Sequence, residues 1–154
     1  MTKLELNERG SANCRIHFKP YNDIIMQAVL FRVDTGVDFT SLSKKQIYDL
    51  GYSKEWLEEN KKPRQTATLA SGEKIHTYYI QMPMVNLYGF EAVNWPFVIA
   101  ADDEKDFAHL LGLDLLAGFN FTFDNDNNCF MLARAKSYKQ RYDFFPGQAV
   151  MNIE

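Results

Sequence analysis

Ile24-Ile25-Met26-Gln27-Ala28-Val29-Leu30-Phe31-Arg32-Val33-Asp34-Thr35-Gly36 is the stretch on which the reading of this chain turns. Residues 24–33 form an apolar run, entered through the turn signal Lys19-Pro20-Tyr21-Asn22-Asp23, and predict a strand. Near its end the run is apolar on both faces, which predicts a core position. Asp34 then stands as a carboxylate at the end of a buried strand, followed by a small hydroxyl and a glycine. One reading is that it caps a turn. The other is that the strand presents an acid/base group to a cleft. The triplet occurs once, so chemistry that needs paired carboxyls needs two copies of the chain.

The rest of the chain reads mainly as short strands. Cys14 to Phe18 predicts one, and residues 1–13 are expected to be a flexible N-terminal segment. Ser43 is a suitable N-cap for a helix over 44–50, with Gly51 as its stop, and a second helical stretch runs from Ser53 to about Asn60. Residues 66–69 and 74–80 predict a hairpin that turns at Ala70-Ser71-Gly72-Glu73. Its second arm alternates Tyr78, Ile80, Met82 and Met84 on one face, and Phe90 to Ala100 follows as another strand. Asn120 to Ala133 predicts a hairpin turning at residues 124–128. Residues 135–154 read as a C-terminal extension containing Tyr138, Tyr142, Phe144 and Phe145.

Composition narrows the function. The 154 residues are 46% hydrophobic and 14% aromatic, enough for one domain with a core that needs no disulfides. With 17 basic against 20 acidic residues the net charge is −3, and no basic cluster marks a nucleic-acid partner. Cys14 and Cys129 are too few for a disulfide framework or a CxxC zinc site. His17, His76 and His109 lack metalloprotease spacing, and no glycine-rich phosphate loop is present. In Asp124-Asn125-Asp126-Asn127-Asn128, Cys129 replaces the glycine a calcium loop requires, so a polar turn is expected. No metal or cofactor is expected. The N-terminus lacks a signal-peptide core and no apolar run is long enough to span a bilayer, which leads to the expectation of a soluble cytoplasmic protein.

Beyond the triplet, Leu110-Leu111-Gly112-Leu113-Asp114-Leu115-Leu116 opens a short helical segment, and Thr66 to Glu73 supplies a glycine-tipped hairpin between the two. With Val33-Asp34-Thr35-Gly36, these elements resemble, over residues 14–134, the retropepsin-like single-domain aspartic proteases. The resemblance implies an all-β fold, a small closed acid-protease barrel with short helices, working as a homodimer on an extended protein or peptide substrate. It implies Asp34 as the catalytic acid/base, one from each subunit, with Thr35 and Gly36 as active-site scaffold. It assigns substrate contacts to Val37, Asp38 and the flap residues Leu69, Ala70, Ser71, Gly72 and Glu73. The alternative is a catalytically silent barrel that binds peptides or dimerises partners.

The sequence departs from the family in places. Leu113 stands where an arginine is usual, which leaves the corresponding ion pair of Asp38 open, with Arg15 or Arg32 as a candidate partner. Val37 offers no hydroxyl to an ionised carboxyl pair, which predicts an activity optimum less acidic than that of pepsin-like enzymes. The C-terminal extension either packs against the barrel or across the dimer, or it covers the cleft or docks a partner.

Overall fold

The computed structural model describes residues 1–63, 67–68, 71–102 and 105–138. Strand β1 (Thr2–Glu5) opens the chain, so the N-terminal segment is not the loose one expected from its polarity. Its hold is a ladder with a later strand, from Thr2↔Leu132 to Glu5↔Cys129, and the burial of Leu4. Strand β2 (Asn13–Phe18) buries Cys14, Ile16 and Phe18 and pairs antiparallel with β3 (Gln27–Val33).

Strand β3 starts three residues later than expected and is one-sided. Val29, Phe31 and Val33 are buried, whereas Leu30 is 56% exposed and Ile24, before the strand, is 90% exposed. Apolar composition alone cannot distinguish a strand buried on both faces from one with apolar side chains in solvent. Phe31 stacks on Phe18 and meets Phe97 at a tilt, which fixes the strand's inner face to the core.

Helices α1 (Lys44–Asp49) and α2 (Lys54–Asn60) follow, each with a serine N-cap: Ser43 accepts from the Gln46 amide and Ser53 from the Trp56 amide. Such caps contribute about 1 kcal/mol each. The two-residue strands β4 (Lys62–Pro63), β5 (Ala67–Thr68) and β6 (Lys74–Ile75) come next, β5 pairing with β6.

The longest strands are β7 (Thr77–Leu87) and β8 (Phe90–Ala100), joined through Tyr88 and Gly89 at φ +48° and +86°. Two successive left-handed residues make the tight turn whose twist matches a hairpin. The expected single apolar face of β7 breaks at Pro83. Ile80 and Met82 are buried before it, Val85 and Leu87 after it, and Met84 is partly exposed. Proline cannot donate to the ladder, and Asn94, opposite it, adopts φ +55°.

The chain closes with β9 (Leu110–Leu111), α3 (Leu113–Leu116), β10 (Phe119–Asp124) and β11 (Cys129–Arg134). Strand β11 pairs β10 and β1 in a three-stranded sheet. A six-stranded sheet runs β4-β7-β2-β3-β9 with β8 on β7. The expected closed barrel is not formed: among the described residues no sheet closes on itself. Strand β9 is two residues long, and only single-residue bridges at Ser41, to Val98 of β8 and Leu110 of β9, span the remaining gap. Among the described residues no helix is long and apolar enough to cross a membrane.

Candidate active site

The parallel pairing of β3 with β9 (Arg32↔Leu110, Val33↔Leu111) carries Asp34 just past the core, where its amide bonds Leu111 O at 3.0 Å. The following loop folds back on the carboxyl. Gly36 N–H donates to Asp34 Oδ1 at 2.9 Å, and the Asp34 side chain retains 30% exposure. A Cβ on Gly36 would lie 3.1 Å from that same Oδ1, so glycine here leaves room for the Asp34 carboxyl itself. Thr35 and Asp38 are exposed and Val37 is half-buried.

The loop is clamped from the other side by residues 112–114. Leu113 and Asp114 amides donate to the carbonyls of Val37 and Asp38 at 3.0 and 2.9 Å. A Cβ on Gly112 would sit 2.7 Å from the backbone carbonyl carbon of Phe39, so this approach requires glycine. Beneath it lies a group the sequence reading passed over. The Asp114 carboxyl is fully buried, and its Oδ1 accepts from both the Thr40 amide (3.0 Å) and the Thr40 hydroxyl (2.6 Å). Thr40 Oγ1 in turn accepts from Gly112 N–H at 3.1 Å. Burial pushes the Asp114 carboxyl up to about 6, against the Thr40 bonds, which favour its charge. The Trp95 indole also favours the charge, although among the described residues Oδ2 accepts no hydrogen bond of ordinary length. A carboxylate inside an apolar segment such as Leu113-Asp114-Leu115-Leu116 was the available signal.

Tyr138 closes this region. Its hydroxyl donates to the Asp114 carbonyl at 3.0 Å and its ring meets Phe90 and Trp95. This start of the C-terminal extension therefore packs on the fold, while Tyr142, Phe144 and Phe145 lie outside the described residues.

Near the start of β9, His109 ties β3 to α1. Leu30 O can only accept, so His109 Nδ1 carries the proton of that 3.2 Å bond and Nε2 accepts from the Ser43 hydroxyl at 2.8 Å. Burial lowers the His109 pKa, consistent with a neutral ring packed on Phe31.

Of the expected substrate-contacting residues, Leu69 and Ala70 lie outside the described residues. Ser71, Gly72 and Glu73 form the exposed hairpin tip, with Gly72 at φ +86°. Among the described residues no hydrogen bond or ion pair joins this tip to residues 34–38. Glu73 instead pairs with Lys105 at 2.8 Å. An open hollow of about 390 Å³ beside it, lined by Glu73, His76 and Asp102 among others, contains none of residues 34–38. Among the described residues of the chain, neither Arg15 nor Arg32 forms an ion pair with Asp38. Arg32 points to Asp34, its Nη2 lying 3.9 Å from Oδ2. No group of three or more metal-ligating side chains occurs among the described residues. Both cysteines are buried and free, and burial raises the Cys14 thiol to about 12, which leaves it inert as a nucleophile.

A family model described as "gag-polyprotein putative aspartyl protease" matches residues 23–118, a span that contains both Asp34 and the 110–116 segment. No curated protein matches the chain. A crystal structure of a retropepsin-like aspartic protease from Rickettsia conorii superposes with a TM-score of 0.61 at 23% sequence identity. That match covers 85% of this chain and 88% of the rickettsial one, which at this identity establishes a shared fold. With the family match spanning most of the chain and the loop of Asp34 clamped by the Leu-Leu-Gly segment, the chain belongs to the retropepsin-like aspartyl protease family.

Proposed function

We propose that this protein is an aspartic endopeptidase, active as a homodimer in which Asp34 of each copy supplies one catalytic carboxyl. The supporting observation is the Asp34 carboxyl itself: partly exposed at a strand end, with Oδ1 held by Gly36 N–H. One chain supplies one such carboxyl, and aspartic protease chemistry uses two. Like charges a few ångströms apart do not both ionise cheaply, so the two groups share one proton.

The steps then follow from proton positions. The ionised member takes a proton from a water held between the carboxyls while the protonated member donates to the scissile carbonyl oxygen. The oxygen of that water adds to the carbonyl carbon, giving a tetrahedral diol. Proton return to the amide nitrogen releases the amine product, with no covalent bond to the enzyme. Thr35 and Gly36 hold the loop, Val37 and Asp38 border the substrate, and Leu69 to Glu73 close over an extended peptide by main-chain pairing.

The test is cleavage of a mixed peptide library by wild type and Asp34→Asn between pH 4 and 8, with the oligomeric state recorded. Cleavage by a wild-type dimer that is absent from the variant is expected. A confirmed dimer that cuts nothing would turn the reading to a silent peptide-binding module. Because Val37 offers no hydroxyl, the activity maximum is expected well above pH 3, and a maximum below that would contradict the assignment of position 37. Removing residues 139–154 while keeping Tyr138 is expected to raise activity if the extension covers the cleft; an unchanged rate from a folded variant would refute such a cover.

A further inference from the structure

The cation beside Asp34 is not explained by the chemistry above. Strand β3 alternates, so Arg32 projects on the same face as Asp34, two residues on. Its backbone is fixed on both sides, opposite Asn13 on β2 and Leu110 on β9, with its amide on His109 O at 3.0 Å. The side chain is 55% exposed, and its one ion pair among the described residues, with Asp34 Oδ2 at 3.9 Å, lies at the outer limit of such a contact. A guanidinium carries five N–H donors in a planar fork suited to a carboxylate. A contact this long leaves that fork available to a second carboxylate.

We propose that Arg32 is a specificity-determining residue that makes this enzyme prefer peptides with a Glu or Asp side chain next to the scissile bond and disfavour Lys or Arg there. The inference rests on the dimeric protease reading and deepens it. In such a dimer two carboxyls sharing one proton carry one negative charge, and two Arg32 guanidiniums flank them. The dyad and its two guanidiniums together carry one net positive charge, opposed by the two Asp38 carboxyls four residues further along each loop. The preference therefore rests on direct contact with the guanidinium, in a cleft from which substrate displaces water and where charges interact more strongly than in bulk solvent. An acidic side chain gains a bidentate partner there, whereas a basic one meets a like charge.

The experiment uses three peptides that differ only in Glu, Gln or Lys at the residue before the cleaved bond, and a second set varied after it. For the full-length wild type, kcat/KM for Glu over Lys is expected to exceed about tenfold in at least one set, some 1.4 kcal/mol. It should shrink as salt is raised. In Arg32→Leu the ratio is expected to fall to near one, whatever the absolute rate, and in Arg32→Lys to lie between. A wild-type ratio near one in both sets, or a ratio unchanged in Arg32→Leu, overturns the proposal.

Binding of the same fluorescent peptides to Asp34→Asn, with and without Arg32→Leu, separates the two readings. Glu-selective binding that needs Arg32, without cleavage by wild type, keeps the role of Arg32 and rejects the protease. Cleavage without Glu selectivity does the reverse.

Discussion

Gly112→Ala is expected to cost more than about 3 kcal/mol of folding stability, toward the severe end for a single substitution. Position 112 has an ordinary φ of −94°, so the penalty is steric and does not come from backbone preference. The added Cβ would meet three backbone atoms of Phe39, at 2.7, 2.9 and 3.0 Å, and backbone cannot turn aside as a side chain can. Relief requires moving residues 37–40 away from 112–114, which strains the Val37 and Asp38 carbonyl bonds and the Thr40–Asp114 pair together. Urea unfolding should show the loss directly, and a variant within about 1 kcal/mol of wild type would refute this packing. Gly36→Ala is the informative contrast. Its Cβ meets only the end of a partly exposed carboxyl at 3.1 Å, so stability should change by less than about 1 kcal/mol while activity falls.

Asp114→Asn is expected to alter how stability depends on pH. The buried carboxyl titrates at about 6, against a reference of 3.8, because burial penalises its charge. The unfolded chain therefore ionises first. Stability from this group is fully present below about pH 4 and is lost as pH rises through 6. Two pKa units correspond to about 3 kcal/mol, lost over that interval and constant above it. Asparagine cannot ionise but can keep the Oδ1 acceptor for Thr40. Whatever fixed cost its amide brings, the variant should gain about 3 kcal/mol on wild type between pH 3.5 and 7.5. His109 works in the opposite direction. Its lowered pKa costs stability as pH falls below the unfolded value of 6.5, but wild type and variant share that cost and it cancels in their difference. Denaturant titrations at the two pH values supply the test, and a difference that does not move with pH would show that Asp114 ionises normally.

Much of this arrangement was readable from side-chain pattern, and the failures have physical causes. The strand ending at Val33, the serine-capped helices and the hairpin turning at residues 124–128 follow from local signals: alternation, a capping hydroxyl, a polar turn. The N-terminal strand was missed because its partner, β11, lies more than a hundred residues away and its own residues are largely polar. Leu30 is expected in the core yet faces solvent, because apolarity carries no information about which face a sheet covers. For the site, the triplet named Asp34 and its loop. The partners of that loop depend on tertiary approach: Thr40 meeting Asp114 across 74 positions, Gly112 beneath Phe39, Arg32 turning to Asp34 instead of Asp38.

The single-residue bridges at Ser41 have a consequence for assembly. Thr40 and Leu42 exchange hydrogen bonds with Val98, and Ser41 N–H donates to Leu110 O. The loop that begins at Asp34 is thus stitched at its far end to two different strands, and its middle is pinned by residues 112–114. Its shape is settled within one chain. A second copy arriving at this surface would find a preorganised partner and lose little conformational entropy in ordering it. Association would then be limited by the quality of the surfaces themselves, and the loop amides should already resist hydrogen exchange in the isolated monomer.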